Sequence, residues 1–259
     1  MNPVTRRSVL AWAVAGSAAA TAGLSGCSDQ RAVVVTGQVD RVRAGAYRDM
    51  VISGVEQVRD LWGRDRVVLP IRLHLPRSAA QWSQATGHPV VERGYAGTTV
   101  RRPGQEPVVV IHPDAWDALT PQGRAAVVTH EITHLAMGSS GSAPWWLAEG
   151  LAEYTAHRAS DADPARIAGS ALPRLLADPP SGWPQAAAST SAWQGYASAW
   201  LACVFLAGEV GEQALLEAHT RTHAGSSWQD VCRASLGRPA SQLHRQWITW
   251  LQSVDRQSA

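Results

Sequence analysis

The segment 130–134 reads His-Glu-Ile-Thr-His, and its residue types and spacing indicate chemistry more strongly than any other part of the sequence. With nine histidines and nine glutamates in 259 residues, chance alone would produce the pattern His-Glu-x-x-His roughly 0.01 times. Four residues advance a helix by about 400°, so the imidazoles of His130 and His134 would project from one face, one turn apart. There they can bind one Zn²⁺, with Glu131 beside the metal rather than on it. The alternative is two histidines on a solvated helix face with an incidental glutamate.

The residues around this segment predict the helix that such a metal site needs. Thr120 followed by Pro121 is a typical helix start, and Gly138 supplies a stop. Between them, apolar side chains recur at the i, i+4, i+7 spacing of a buried helix face. The sequence therefore predicts a helix over 121–137.

A catalytic zinc also needs a third protein ligand and an open position. Segment 144–154, which reads Pro-Trp-Trp-Leu-Ala-Glu-Gly-Leu-Ala-Glu-Tyr, offers two carboxylates. If the chain reverses in the loop 138–144, Glu149 lies about one turn into a second helix, and in an antiparallel helix hairpin it faces His134. Glu149 is therefore the predicted third ligand, and Glu153 lies one turn further along the same face.

These two motifs resemble those of the gluzincin metallopeptidases, which include the thermolysin-like and aminopeptidase-like enzymes, and especially their bacterial peptidase-MA-like relatives. The resemblance covers about residues 105–155 and rests on His-Glu-x-x-His with a downstream Trp-Leu-x-Glu-Gly-x-Ala-Glu-Tyr. It implies a zincin-type α+β fold, with His130, His134 and Glu149 as ligands of one Zn²⁺ and Glu131 as general base. The chemistry of zinc-activated water predicts the same roles.

The resemblance also implies supporting residues around the zinc. An acid at the offset of Glu153 supports a ligand histidine through its second nitrogen in thermolysin-like relatives; the alternatives are a surface carboxylate or a replacement ligand. A Tyr or His stabilises the oxyanion in these enzymes, and Tyr196 is the leading candidate because it lies on the helix after a long loop. The other candidates, any of which can instead be a packing residue, are Tyr154, His157, His219 and His223.

The first 27 residues are typical of an export signal. Arg6 and Arg7 precede an apolar run over 9–24, which is 16 residues long and shorter than the roughly 20 that span a bilayer. The run ends in Leu-Ser-Gly-Cys, which resembles the lipobox of bacterial lipoproteins, in which the residue equivalent to Cys27 receives the lipid. We therefore expect an exported protein anchored by lipid to the outer face of the cell membrane. The alternatives are an uncleaved anchor or a secreted form, and the two arginines leave both Sec and twin-arginine export open.

The basic residues of the chain exclude several classes of function. All 23 are arginines, so no lysine is present for a phosphate-binding loop, a Schiff base or a kinase-type ATP site. The formal net charge is +2, and two of the arginines lie in the predicted leader, which leaves a net charge of zero from residue 27 onward. Such a chain has no bulk charge with which to hold a nucleic-acid backbone.

Two cysteines remain after Cys27. An even number of cysteines in an exported chain favours a disulfide, so we expect Cys203 and Cys232 to be joined. The alternative is two separate buried thiols, since a free cysteine behaves as a small hydrophobic residue.

The remaining patterns predict a small sheet followed by helices. Residues 38–62 have helical spacing, and three β-rich stretches follow at 67–75, 95–100 and 107–111. Helices are expected near 192–209, 211–222, 227–236 and 239–255, after a long loop over 177–191. We therefore predict a leader over 1–27, an α+β half over 33–160 and a helical half over 161–259. Because gluzincins bind substrate as an added strand, the small residues at 94–100 are the predicted substrate-binding edge.

The function expected from these observations is a membrane-anchored, extracytoplasmic zinc peptidase that acts on a peptide or protein. The alternative is a non-catalytic zinc-containing envelope lipoprotein that binds peptides or proteins. Glu131 argues against this alternative, because a binding module has no need of a carboxylate beside its metal. Zinc storage or delivery would call for a His-rich tract, which the sequence lacks.

Overall fold

The computed structural model describes residues 32–89, 96–139, 141–185 and 192–257. The predicted leader and Cys27 lie outside these residues. Contacts between residues divide the chain into two units, 1–137 and 138–259. The class is α+β, as predicted, with a small sheet in the first unit and helices throughout the second. No helix in the described ranges is long and apolar enough to cross a membrane.

In its described residues the first unit contains four strands, four α-helices and a single turn of 3-10 helix at Arg64–Arg66. In chain order the strands and α-helices are β1 (Val33–Gly37), α1 (Arg41–Trp62), β2 (Ile71–Leu75), α2 (Ala79–Thr86), β3 (Gly97–Val100), β4 (Val108–Ile111), α3 (Ala115–Ala118) and α4 (Pro121–Met137).

The sheet has the order β1-β2-β4-β3. The first three strands in this order are parallel, and β3 runs antiparallel to β4 with Gly97 opposite Ile111. In the described part of the sheet β3 is therefore an edge strand, as predicted for this segment, and its binding of substrate stays a prediction. Tyr95, which the sequence placed in the same stretch, lies outside the described residues.

Helix α4 is held mainly by α1, with further contacts to β3 and β4. The two helices approach closely at Gly54, where a Cβ atom would lie 2.9 Å from Thr129 Oγ1 and 3.1 Å from Ile132 Cδ1. The backbone N–H of Gly123 donates to the Thr120 hydroxyl, and the helix stops at Gly138 with φ of 93°. The predicted helix over 121–137 is thus confirmed, and most of its side chains are buried.

The second unit consists of seven helices in its described residues. They are α5 (Trp145–His157), α6 (Pro164–Ala168), α7 (Ala171–Ala177), α8 (Ala192–Val210), α9 (Glu212–His223), α10 (Trp228–Ser235) and α11 (Ala240–Gln257). Helix α5 packs mainly against α8, and it therefore belongs to the C-terminal unit. The division of the chain consequently falls before α5, whereas the sequence-based boundary lies at residue 160.

Helices α5 and α8 meet through a glycine. At Gly150 a Cβ atom would lie 2.3 Å from the main-chain oxygen of Ala199 and 2.7 Å from Cys203 Sγ. Backbone therefore packs against backbone at this point, as small residues permit.

Tryptophan supplies much of the bulk of the second core, as the sequence indicates. Trp183 lies in the described part of the predicted long loop and stacks on Trp146 of α5 and Trp247 of α11, with both pairs 11° from parallel. Trp228 meets the edges of Trp146 and Trp183. Trp146 and Trp247 are almost completely buried, so this loop is packed into the helical unit through its tryptophan.

The predicted disulfide is absent from the structure, which instead contains the alternative arrangement of two separate thiols. Cys203 and Cys232 are both free and fully buried. Cys203 lies on α8 at the contact with Gly150, whereas Cys232 lies on the short helix α10. Burial raises the pKa of the Cys203 thiol well above its usual range, and burial raises that of Cys232 to about 12.

Candidate metal centre

The two histidines of α4 bring their ring nitrogens together. His130 Nε2 lies 3.1 Å from His134 Nε2, with the ring planes 69° apart. Two nitrogens bound to one tetrahedral Zn²⁺ at the usual bond lengths are about 3.3 Å apart. The spacing on the helix therefore places both imidazoles where a single metal ion can bind them, as the sequence predicts.

Glu149 supplies a third donor to this pair. One ligand atom each from His130, His134 and Glu149 lie within 4.8 Å of one another. Two imidazoles and a carboxylate form a donor set that suits Zn²⁺ and leaves a fourth position for water or substrate. The residues present thus fit a metal ion, which confirms that these three predicted ligands converge.

Glu131 follows His130 on α4, and its side chain contacts the edge strand. Its side chain is only 6% exposed, and its Oε2 atom accepts a hydrogen bond of 2.8 Å from the Thr99 hydroxyl. Gly97, two residues earlier on β3, gives the carboxylate room, because a Cβ atom there would lie 3.1 Å from Glu131 Cγ. The carboxylate of Glu131 is thus buried and held against the edge strand, one residue after the donor His130.

Glu153 is buried on α5, where its Oε2 atom lies 3.5 Å from His157 Nε2, one turn along the same helix. The described carboxylate that converges with the two histidines of α4 is that of Glu149. The structure thus gives Glu153 a partner within its own helix, and its support of a ligand histidine stays a prediction.

The aromatic oxyanion candidates have other contacts within the second unit. The Tyr154 hydroxyl donates to Glu212 Oε1 at 2.7 Å, and burial together with this bond raises its pKa far above the usual range. Glu212 is also paired with Arg158. Tyr196 lies on α8, as predicted, and its ring packs on Trp145 at 5.6 Å.

The two histidines of α9, His219 and His223, have rings 5.6 Å apart. His223 packs tightly against the loop before α5, because a Cβ atom at Gly141 would lie 2.3 Å from its Nδ1 atom. The backbone N–H of Ser142 also donates to the carbonyl of His223. This close packing gives His223 a role in holding the loop.

Sequence reasoning missed the support that the segment 97–101 gives to α4. Besides the contacts of Gly97 and Thr99, the Arg101 guanidinium donates to the carbonyl oxygens of His134 and Leu135 at 3.0 and 3.3 Å. A positive charge there satisfies carbonyls at the C-terminal end of the helix. The available signal was the short β-prone stretch itself, whose alternate residues must share one face.

No protein-family model, no curated protein and no solved structure matches the chain.

Proposed function

We propose that the protein is a zinc-dependent peptidase of the gluzincin type, in which His130, His134 and Glu149 bind one Zn²⁺ and Glu131 is the general base. The observation that carries this proposal is the convergence of the three donors next to a buried carboxylate. A structural metal site closes its coordination with protein ligands, whereas three ligands and an adjacent carboxylate suit catalysis.

A bound Zn²⁺ supplies the acidity of a water molecule and polarises the peptide carbonyl. Proton transfer is carried out by Glu131. Its carboxylate accepts a proton from the attacking water and donates it to the leaving amine, so the same group acts first as base and then as acid. The peptide C–N bond breaks, and the products are a carboxylate and a free amine.

The peptide substrate is proposed to bind along β3. His112 N donates to the Ala96 carbonyl at 2.8 Å, so Ala96 and His112 form a hydrogen-bonded pair between the strands β3 and β4. Alternation along an antiparallel ladder then directs the backbone groups of Gly97 and Thr99 away from β4. These groups are available to pair with an added peptide strand.

The test compares metal content and cleavage of an unbiased peptide library for three proteins: the wild type, His130→Ala and Glu131→Gln. We expect His130→Ala to lose zinc and activity together, because it removes a ligand. Glu131→Gln should keep zinc and lose turnover by about 10²–10⁴-fold, the contribution of a general base. Full peptidase activity in Glu131→Gln would contradict the mechanism, and zinc binding with peptide capture but no cleavage by the wild type would favour the non-catalytic module.

We propose further that the mature protein is anchored through a lipid on Cys27. The support is the sequence of the leader and its Leu-Ser-Gly-Cys ending. Metabolic labelling with a tagged fatty acid tests this proposal. Label in the wild type but not in Cys27→Ser is the expected result, and label in both proteins would exclude this cysteine as the acceptor.

A further inference from the structure

We infer that Thr99 is a positioning residue for Glu131 and that its hydroxyl fixes the carboxylate in the orientation needed for proton transfer. The inference rests on the proposed function, because it gives the general base a dedicated support. It adds a residue outside the two motifs from which that function was argued.

The geometry comes entirely from the first unit. Thr99 Oγ1 lies 2.8 Å from Glu131 Oε2 and 2.9 Å from the main-chain oxygen of the same residue. One hydroxyl thus reaches both the carboxylate and the helix backbone that carries it. Thr99 is β-branched and lies in a strand, so its own side chain has few rotamers to choose from.

Gly97, on the same face of β3, leaves space for the side chain of Glu131. Because side chains alternate along a strand, residues 97 and 99 share the face that meets α4. A methyl group at position 97 would lie 3.1 Å from Glu131 Cγ and 3.3 Å from Oε1. The strand therefore leaves room for the glutamate at Gly97 and donates a hydrogen bond to it at Thr99.

A glutamate side chain has three rotatable bonds and loses rotamer freedom when it is ordered. Glu131 is buried, so a hydrogen bond to its charged form is stronger than one between neutral groups. Loss of the Thr99 hydroxyl would remove the hydrogen bond that holds Oε2 against β3, and the carboxylate would shift from the position it needs for proton transfer. A variant without this hydroxyl should lose more in kcat than in substrate binding, because misplacement of a reacting group by about 1 Å can reduce the rate by about 100-fold.

The first experiment measures kcat and KM for zinc-loaded Thr99→Val and Thr99→Ser. Valine keeps the shape and removes the hydroxyl, and serine keeps the hydroxyl. We expect Thr99→Val to lower kcat by about 10- to 100-fold with little change in KM, and Thr99→Ser to restore most of the loss. Thr249→Val is the matched control, because it removes a threonine hydroxyl that bonds the Arg245 carbonyl on α11, outside the proposed site, and it should stay within about 2-fold of the wild type.

The second readout does not depend on catalysis. Thr99→Val, Glu131→Ala and the double variant form a double-mutant cycle, measured by chemical unfolding of the full zinc-loaded chain at fixed free zinc. If the hydroxyl and carboxylate are bonded, the changes in the unfolding constant will be coupled by about 10-fold or more. Additive effects would overturn the inference.

The outcomes separate this inference from the proposed function. If Glu131→Gln retains full activity, the proposed function itself fails. If Glu131→Gln is inactive while Thr99→Val has wild-type kcat, only the positioning role is overturned. Equal loss in Thr99→Val and Thr99→Ser would also overturn it, because the hydroxyl would then not be the cause.

Discussion

Substitution of Gly150 by alanine tests how closely α5 packs against α8. The added methyl carbon would lie 2.3 Å from the Ala199 carbonyl oxygen, which is 1.1 Å less than the 3.4 Å at which ordinary contact begins. A carbonyl within a helix cannot turn aside, so α5 and α8 must separate. Overpacking of this kind costs about 1–3 kcal/mol, against a gain of about 1 kcal/mol for replacing glycine within a helix. We expect a net loss of up to about 2 kcal/mol in the free energy of unfolding.

The same substitution should weaken metal binding, because Glu149 is the adjacent residue and moves with the helix. Disturbing the support of a ligand costs about 10- to 100-fold in metal affinity. Urea unfolding and zinc competition against a chelator measure the two effects. Gly208→Ala is the control: Gly208 lies within α8 but has nothing within 4 Å of its Cβ position, so this substitution should be neutral or stabilising by up to about 1 kcal/mol. Equal stability of the two variants would refute the close packing of α5 on α8.

Other perturbations have equally definite outcomes. Glu149→Ala should lose far more zinc in a metal-content assay than Glu153→Ala, because Glu153 is the partner of a histidine on its own helix. Equal losses would mean that Glu149 is not the third ligand. Ala96→Pro should lower peptide turnover with zinc retained, because it disturbs the start of the edge strand; normal cleavage by the folded variant would place the substrate elsewhere. Cys203 and Cys232 should resist alkylation in the native protein and react after unfolding without reductant, as mass spectrometry can show; a non-reduced 203–232 cross-link would contradict the structure. Since the pKa of Cys232 is raised to about 12, its thiol ionises first in the unfolded chain, and stability should fall above about pH 9 by up to about 1.4 kcal/mol per pH unit.

Local signals predicted the elements that carry the metal donors. Thr120 and Gly138 mark the ends of α4 through chemistry that is visible in the sequence, a side-chain cap and a residue tolerant of positive φ. The spacing of His130 and His134 then fixed their common face. Helix end signals and helix periodicity therefore sufficed to predict α4 and the common face of its two histidines.

Contacts that depend on tertiary register were not predictable in this way. The hydrogen bond from Thr99 to Glu131 joins residues 32 positions apart, and it depends on which face of a four-residue strand meets α4. The state of Cys203 and Cys232 depends similarly on how three helices pack, because an even number of cysteines does not say whether their Cα atoms are close enough to bridge. The short strand β1 escaped prediction because it lies between the leader-like segment and the helical pattern of 38–62 and has only five residues.

The tryptophans of the second unit give it an optical signature of its own. The Trp146 and Trp183 rings are 4.6 Å apart and almost parallel, and electronic transitions in indoles this close couple to one another. When their transition dipoles are inclined to each other, coupled indoles give a paired positive and negative band in far-ultraviolet circular dichroism, which single buried tryptophans do not give. Trp146 lies in the first turn of α5, the helix that carries Glu149. The band therefore reports the packing of that helix against the loop around Trp183 without any added label.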